Sequence, residues 1–151
     1  MKKLLVSACL LGCECRYDGK SQPNEAVLRL RDTYDLIPVC PEQMGGMPTP
    51  RVPSERVGDR VLTKDGTDVT DRFLRGAETA LHLAKTLGAT AAVLKARSPS
   101  CGKGAIYDGT FSGTLTKGDG VTSEKLVANG IRVFTEESCA CLLSSDTVPE
   151  K

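Results

Sequence analysis

The 151-residue chain contains no tryptophan, and aromatic residues make up only 4% of it. An aromatic platform for stacking nucleobases is therefore hard to build. Histidine occurs once, at His82, which argues against histidine-rich zinc sites and a Ser–His–Asp triad. Charge nearly cancels at net +1, so the totals carry neither a nucleic-acid footprint nor an acidic tail, and intact nucleic acid is disfavoured as a partner. No apolar stretch is long enough to cross a bilayer. Internal repeats and low-complexity segments are also missing. So is the C-x-x-C spacing of a thioredoxin-type redox motif.

Cysteine, by contrast, is plentiful. The seven cysteines are Cys9, Cys13, Cys15, Cys40, Cys101, Cys139 and Cys141. An odd number in a chain of this length suits a secreted disulfide framework poorly. In a reducing cytoplasm, where we expect this protein, grouped cysteines more often signal metal or redox chemistry. The start, "MKKLLVSACLLGCECRYDG", has the lysines and apolar run of a signal peptide. The run soon meets Cys, Glu and Arg, so a buried first strand is the better reading, with secretion as the alternative.

Four apolar runs have strand character: Lys3–Ala8, Asp35–Cys40, Ala91–Lys95 and Ile131–Thr135. Such near-continuous runs suit strands covered on both faces. Pro38 places the second at a sheet edge or irregular end. Helical patterns lie between them. One starts at Asn24, an N-cap candidate. A long one runs from Thr70 to Gly88, with Phe73, Ala77, Ala80, Leu81, Ala84 and Leu87 at helical spacing and His82 beside the stripe. A third runs from Thr122, as cap, to Gly130. The alternation predicts a single-domain α/β fold over 1–145, with a mainly parallel, Rossmann-like sheet and helices on both faces. A small β excursion is expected around 56–69, from its Asp-Gly turn signals. The glycine-rich "IYDGTFSGTLTKGDG" reads as a mobile loop near the site. Residues 146–151 read as a disordered tail. Oligomeric state is not legible.

Placed on this sketch, Cys9 follows the first strand, Cys40 ends the second, and Cys101 lies in the loop after the third. In an open parallel sheet these strand ends share one edge, where ligands bind. Three cysteines distant in sequence would thus converge. Each sits in a turn with Gly or Pro, which argues against three plain core residues. Three thiolates could hold zinc with a fourth ligand or water. They could also hold an iron–sulfur cluster with one iron left open as a Lewis acid. Glu42 follows Cys40 by two positions. If "CPE" is extended, its carboxyl faces the same site and can act as general acid or base. Ser98 precedes Cys101 by three, which in a turn of helical pitch puts both on one face. Cys13 and Cys15 read as spare thiols, a sulfide relay or a second site. Cys139 and Cys141 are candidates for a fourth ligand.

The blocks "SACLLGCECRYDG", "VCPEQMGGMPTPR" and "ARSPSCGKG", in this order, resemble the 2-thiouracil desulfurase family, long carried as a bacterial domain of unknown function. The resemblance implies a 4Fe–4S cluster bound by three cysteines matching Cys9, Cys40 and Cys101. It implies an open iron for the sulfur of a small thiolated pyrimidine or nucleoside, and a catalytic carboxyl matching Glu42. It further implies an assisting serine, assigned to Ser98, with Ser100, adjacent to Cys101, as the fallback and substrate contact. The implied reaction is non-redox desulfuration of a substrate such as 2-thiouracil, giving uracil and sulfide. Two rival readings remain open at this point. One is a zinc–thiolate hydrolase, and the other a non-enzymatic sulfur carrier or redox sensor.

Overall fold

The structure, a computed structural model, describes residues 1–146; the tail expected at 146–151 lies outside the described residues from Thr147 onward. Four strands, β1 (Lys2–Ser7), β2 (Tyr34–Val39), β5 (Ala91–Leu94) and β8 (Arg132–Thr135), form one sheet in the order β2-β1-β5-β8. All three pairings are parallel. Each strand starts or ends within a residue of the run expected for it. β2 is an edge strand, which lets it carry Pro38 opposite Val6 without loss of a ladder bond on its outer side.

Alternation along β1 sends Leu4 and Val6 to one face and Leu5 to the other. On the first face lie Val27 of α1 (Glu25–Arg29), Leu30 just after it, and Leu142 of α5 (Ala140–Asp146). On the second lie Leu81 and Ala84 of α3 (Thr70–Leu87) and Leu126 of α4 (Val121–Ala128). The sheet is thus covered by helices on both sides. Asn24 caps α1 as expected, its side chain accepting from the Val27 amide at 3.1 Å. Gly88, with φ 77°, stops α3 in the left-handed conformation that glycine adopts freely. His82 is exposed on α3, beside Thr86.

Thr122 is not the cap of α4. Gly120 holds that position, and Thr122 is fully buried with its hydroxyl 2.8 Å from that of Ser100. The β excursion is a hairpin of β3 (Ser54–Val57) and β4 (Arg60–Thr63). The glycine-rich stretch read as a mobile loop contains a second hairpin, β6 (Ala105–Tyr107) with β7 (Leu115–Lys117). Its turn is tied down because Glu55 of β3 accepts from the Gly109 and Phe111 amides at 2.9 and 3.1 Å. The tie lies 54 and 56 positions away along the chain, so no local pattern could announce it.

The segment that carries Glu42 is also fixed by a close approach. Residues Pro41–Met44 form a one-turn helix, α2, which packs against α3. A Cβ on Gly76 of α3 would stand 1.9 Å from the Pro41 carbonyl oxygen, and one on Gly45 would stand 1.9 Å from that of Arg72. Both obstacles are backbone and cannot swing aside. Gly76→Ala is therefore expected to push α2 off α3 and lower stability by about 1–3 kcal/mol. A urea midpoint unchanged from that of the unsubstituted protein would show that the two helices are not in this register.

Candidate active site

The chain runs from β1 outward to β2, then returns across β1 to β5. Its direction across the sheet therefore reverses between β1 and β5, where an open parallel sheet leaves a crevice at its C-terminal edge. A cavity of about 410 Å³ lies there. Cys9, Cys15, Cys40 and Cys101 line it, together with Glu42, Arg51, Ser98, Ser7 and Lys95. The two hairpins close its far side with Ser54, Glu55, Tyr107 and Phe111.

Cys9 sits in a 3-10 turn, Ala8–Leu11, that caps β1. Cys40 is the last extended residue before α2, with Pro41 as the first helical residue, where a missing N–H costs nothing. "CPE" is therefore not extended as the sequence reading required. Glu42 faces the cavity because the chain turns into a helix at Pro41, not because of strand alternation. Cys101 lies in a tight turn after β5, where its amide donates to Ser98 Oγ at 2.7 Å and the Gly102 amide to the Ser98 carbonyl at 2.9 Å.

The structure separates the two serines. Ser98 is on the cavity wall, and its oxygen accepts from the amides of Ser100 and Cys101. With its lone pairs so engaged, the hydroxyl has its proton left to give, so Ser98 is a donor toward the cavity. Ser100 is 1% exposed and not on the wall; its hydroxyl meets that of Thr122 at 2.8 Å and also bonds the Cys101 thiol from behind. Cys139 and Cys141 do not reach the cavity either. Cys139 is buried against the Glu136 carbonyl, 3.7 Å away, and Cys141 is exposed. Both follow β8, one strand beyond β5.

Two further residues join the site: Cys15, read from the sequence as a spare thiol, a sulfide relay or part of a second site, and Arg51, which the sequence did not single out. Cys15 is buried, and its thiol hydrogen-bonds with those of Cys9 and Cys40. Alternation with the exposed Cys13 was the available signal. Arg51 is the other. Its guanidinium is 3% exposed and donates from Nε to Glu42 Oε1 at 3.1 Å, and from Nη2 to the Cys15 carbonyl at 3.0 Å. Its Nη1 donates to the Pro48 carbonyl and the Thr49 hydroxyl. Arg51 thus joins the carboxyl to the loop that carries Cys15. Burial pushes the Glu42 carboxyl above its ordinary value, while the charge and hydrogen bond of Arg51 oppose the rise.

Three of the cavity thiols, Cys15, Cys40 and Cys101, resist ionisation. Burial pushes Cys101 up to about 12. The hydrogen bond with Cys15, then burial, push Cys40 far up. For Cys15 the largest influence, the bond from Cys40, lowers the value, but the Cys9 bond, burial and neighbouring thiols outweigh it and leave it at about 11. Such a group becomes a good thiolate set once a positive metal centre sits among it. All seven cysteines are free. No three His, Cys, Asp or Glu side chains among the described residues close on a single metal ion. A multi-iron cluster takes each thiolate on a different iron, and an all-cysteine donor set is the kind that holds one.

The profile of the 2-thiouracil desulfurase family matches residues 4–138. The chain belongs to the 2-thiouracil desulfurase family. Among relatives of this desulfurase, an uncharacterised protein of Bacillus subtilis (strain 168), YbbK, is 43% identical, over 88% of this chain and 95% of that protein. The fold is similar to the solved structure of TudS, a [4Fe-4S]-dependent thiouracil desulfidase. The TM-score is 0.92 at 44% identity, over 99% of this chain and 100% of that one. The expected family and the α/β fold with its parallel sheet are thus borne out.

Proposed function

We propose that this protein removes sulfur from 2-thiouracil or a related thiolated pyrimidine with the help of a 4Fe–4S cluster held by Cys9, Cys40 and Cys101. The reading is supported by the family and by the likeness to TudS. The observation that carries it is the meeting of three strand-end thiols, Glu42 and Ser98 on one cavity. These thiols come from three neighbouring strands, so they surround the cavity rather than stack along one segment.

When bound, the cluster supplies a soft Lewis-acidic iron that polarises a thiocarbonyl. Glu42 takes a proton from the water that attacks the carbon and returns one to the departing sulfur. Arg51 holds the carboxylate in place for both transfers. Ser98 donates its proton to the polar edge of the pyrimidine or to the attacking water. Written out, a thiocarbonyl and water give a carbonyl and hydrogen sulfide, with no electrons gained or lost. Free thiols throughout support a cytoplasmic location, and no helix among the described residues is long and apolar enough to cross a membrane.

The test is anaerobic purification, assay of iron, zinc and acid-labile sulfide, and then incubation with 2-thiouracil, 4-thiouracil and 2-thiouridine without reductant. Iron with labile sulfide, and release of sulfide and the oxo-pyrimidine in equal amounts, are expected. Iron-loaded protein that releases no sulfide from any thiopyrimidine would overturn the reading. Zinc without labile sulfide would favour the hydrolase.

A further inference from the structure

The chain has six aromatic residues, three tyrosines and three phenylalanines. Tyr34 and Phe73 fill the core, but Tyr17, Tyr107 and Phe111 all stand on the wall of the one cavity. Scarce rings gathered in this way suit a flat apolar ligand. The three differ in what already engages them. Tyr17 is 42% exposed, and the Arg16 guanidinium lies over its ring, 5.9 Å from the centroid. Tyr107 sits in the regular ladder of β6, opposite Leu115. Phe111 alone of the three has a backbone φ of 55°, in the left-handed region that a bulky side chain rarely adopts.

The turn between β6 and β7 imposes that conformation. One oxygen of Glu55, a residue 9% exposed, accepts from both the Gly109 and Phe111 amides. Asp108 accepts from the Thr110 amide at 3.0 Å, and its own amide donates to the Thr114 carbonyl at 3.0 Å. A Cβ on Gly109 would stand 2.4 Å from Val57 Cγ2, so the turn lies tight against β3. Strain held in place by this many bonds, in a residue lining a cavity, is the kind that serves a site. A phenylalanine ring offers no hydrogen bond, so what it gives a ligand is an apolar π-face.

We propose that Phe111 is the face on which the pyrimidine ring stacks, and that Glu55 is the positioning residue that holds it there. The proposal rests on the desulfurase reading above and deepens it. It assigns recognition of the flat ring to the side of the cavity closed by the hairpins, and leaves the thiocarbonyl to the side with the thiols, Glu42 and Ser98. Stacking on an aromatic side chain tolerates every base, because each has a π-face. The hairpin therefore selects a planar aromatic ring with little regard for its substituents. A thiocarbonyl in a puckered, saturated ring gains little from it.

The experiment compares unsubstituted protein with Phe111→Leu, Phe111→Tyr, Phe111→Gly, Glu55→Ala and Glu55→Gln, all loaded anaerobically. Leu115→Ser, exposed on the same hairpin, is the control. Sulfide release is followed from 2-thiouracil and from 5,6-dihydro-2-thiouracil, and urea midpoints are read on the same samples. Phe111→Leu should raise KM for 2-thiouracil about tenfold, with kcat within about twofold, since stacking is lost equally from the ground and transition states. Its preference for 2-thiouracil over the dihydro compound should shrink by the same factor. Phe111→Tyr and Leu115→Ser should keep the unsubstituted values. Phe111→Gly should raise KM as Phe111→Leu does, yet lower the urea midpoint no further, because glycine takes a φ of 55° without strain. Glu55→Ala should raise KM with the ring intact, and Glu55→Gln, which keeps an acceptor oxygen, should restore most of the loss. Unchanged KM and preference in iron-loaded Phe111→Leu would overturn the proposal alone. Iron-loaded unsubstituted protein that releases no sulfide from either compound would overturn the desulfurase reading beneath it, so the two failures are told apart.

Discussion

Cys40→Ala is expected to abolish sulfide release from 2-thiouracil. The loss should exceed the roughly 10–100-fold that changes around a metal's ligands cost, because a ligand itself is removed. Cys40 precedes α2, and its thiol bonds that of Cys15 and is met by the Gln43 amide of that helix. Iron analysis and a sulfide assay on the same sample check the result. A Cys40→Ala protein that turns over at the unsubstituted rate would remove Cys40 from the ligand set.

Glu42→Gln should leave the cluster in place and lower kcat by about 10²–10⁴-fold, the range for loss of a positioned general acid or base. The amide keeps an oxygen for Arg51 Nε, so the local structure survives while proton transfer does not. Arg51→Met acts on the same carboxyl from the other side. It strands Glu42 and frees the carbonyls of Pro48 and Cys15. Removing one partner of this largely buried pair is expected to cost about 3 kcal/mol of stability. Denaturant unfolding measures that loss, and single-turnover sulfide release separates it from the chemical step. If Glu42→Gln retained full kcat with an intact cluster, Glu42 would have no part in moving protons.

Much of the scaffold was written in short-range patterns. The four sheet strands are apolar runs because both faces are covered, and the α3 stripe has helical period because one side of that helix packs on the sheet. Other features rest on partners far along the chain. The β6–β7 hairpin looked like a loop because glycine-rich, polar sequence states no pairing; Glu55 imposes the shape of its turn from a different strand. Thr122 looked like a cap because cap residues are recognised by type, whereas here Ser100 draws its hydroxyl inward. Glu42 lines the cavity, but not by strand alternation, since Pro41 starts a helix where an extended segment was assumed. Arg51 was passed over, and Cys15 was left as a spare thiol, a relay or a second site, because what each touches, not its spacing, brings it to the cavity.

The sequence by itself determined the strand and helix inventory, and hence which loops leave the C-terminal edge of the sheet. That followed from hydrophobic period and from Gly and Pro punctuation, which act within a few residues. It also set Cys9, Cys40 and Cys101 at three such ends. Only the tertiary structure decided that β1 lies between β2 and β5, which brings those ends around one cavity and leaves β8 with Cys139 and Cys141 outside it. It likewise decided that Ser98, not Ser100, faces that cavity, and that Arg51 ties Glu42 to Cys15. The reason is physical. Strand order and buried hydrogen bonds are settled by which faces and polar groups can be satisfied together across the whole fold, and no local window contains that competition.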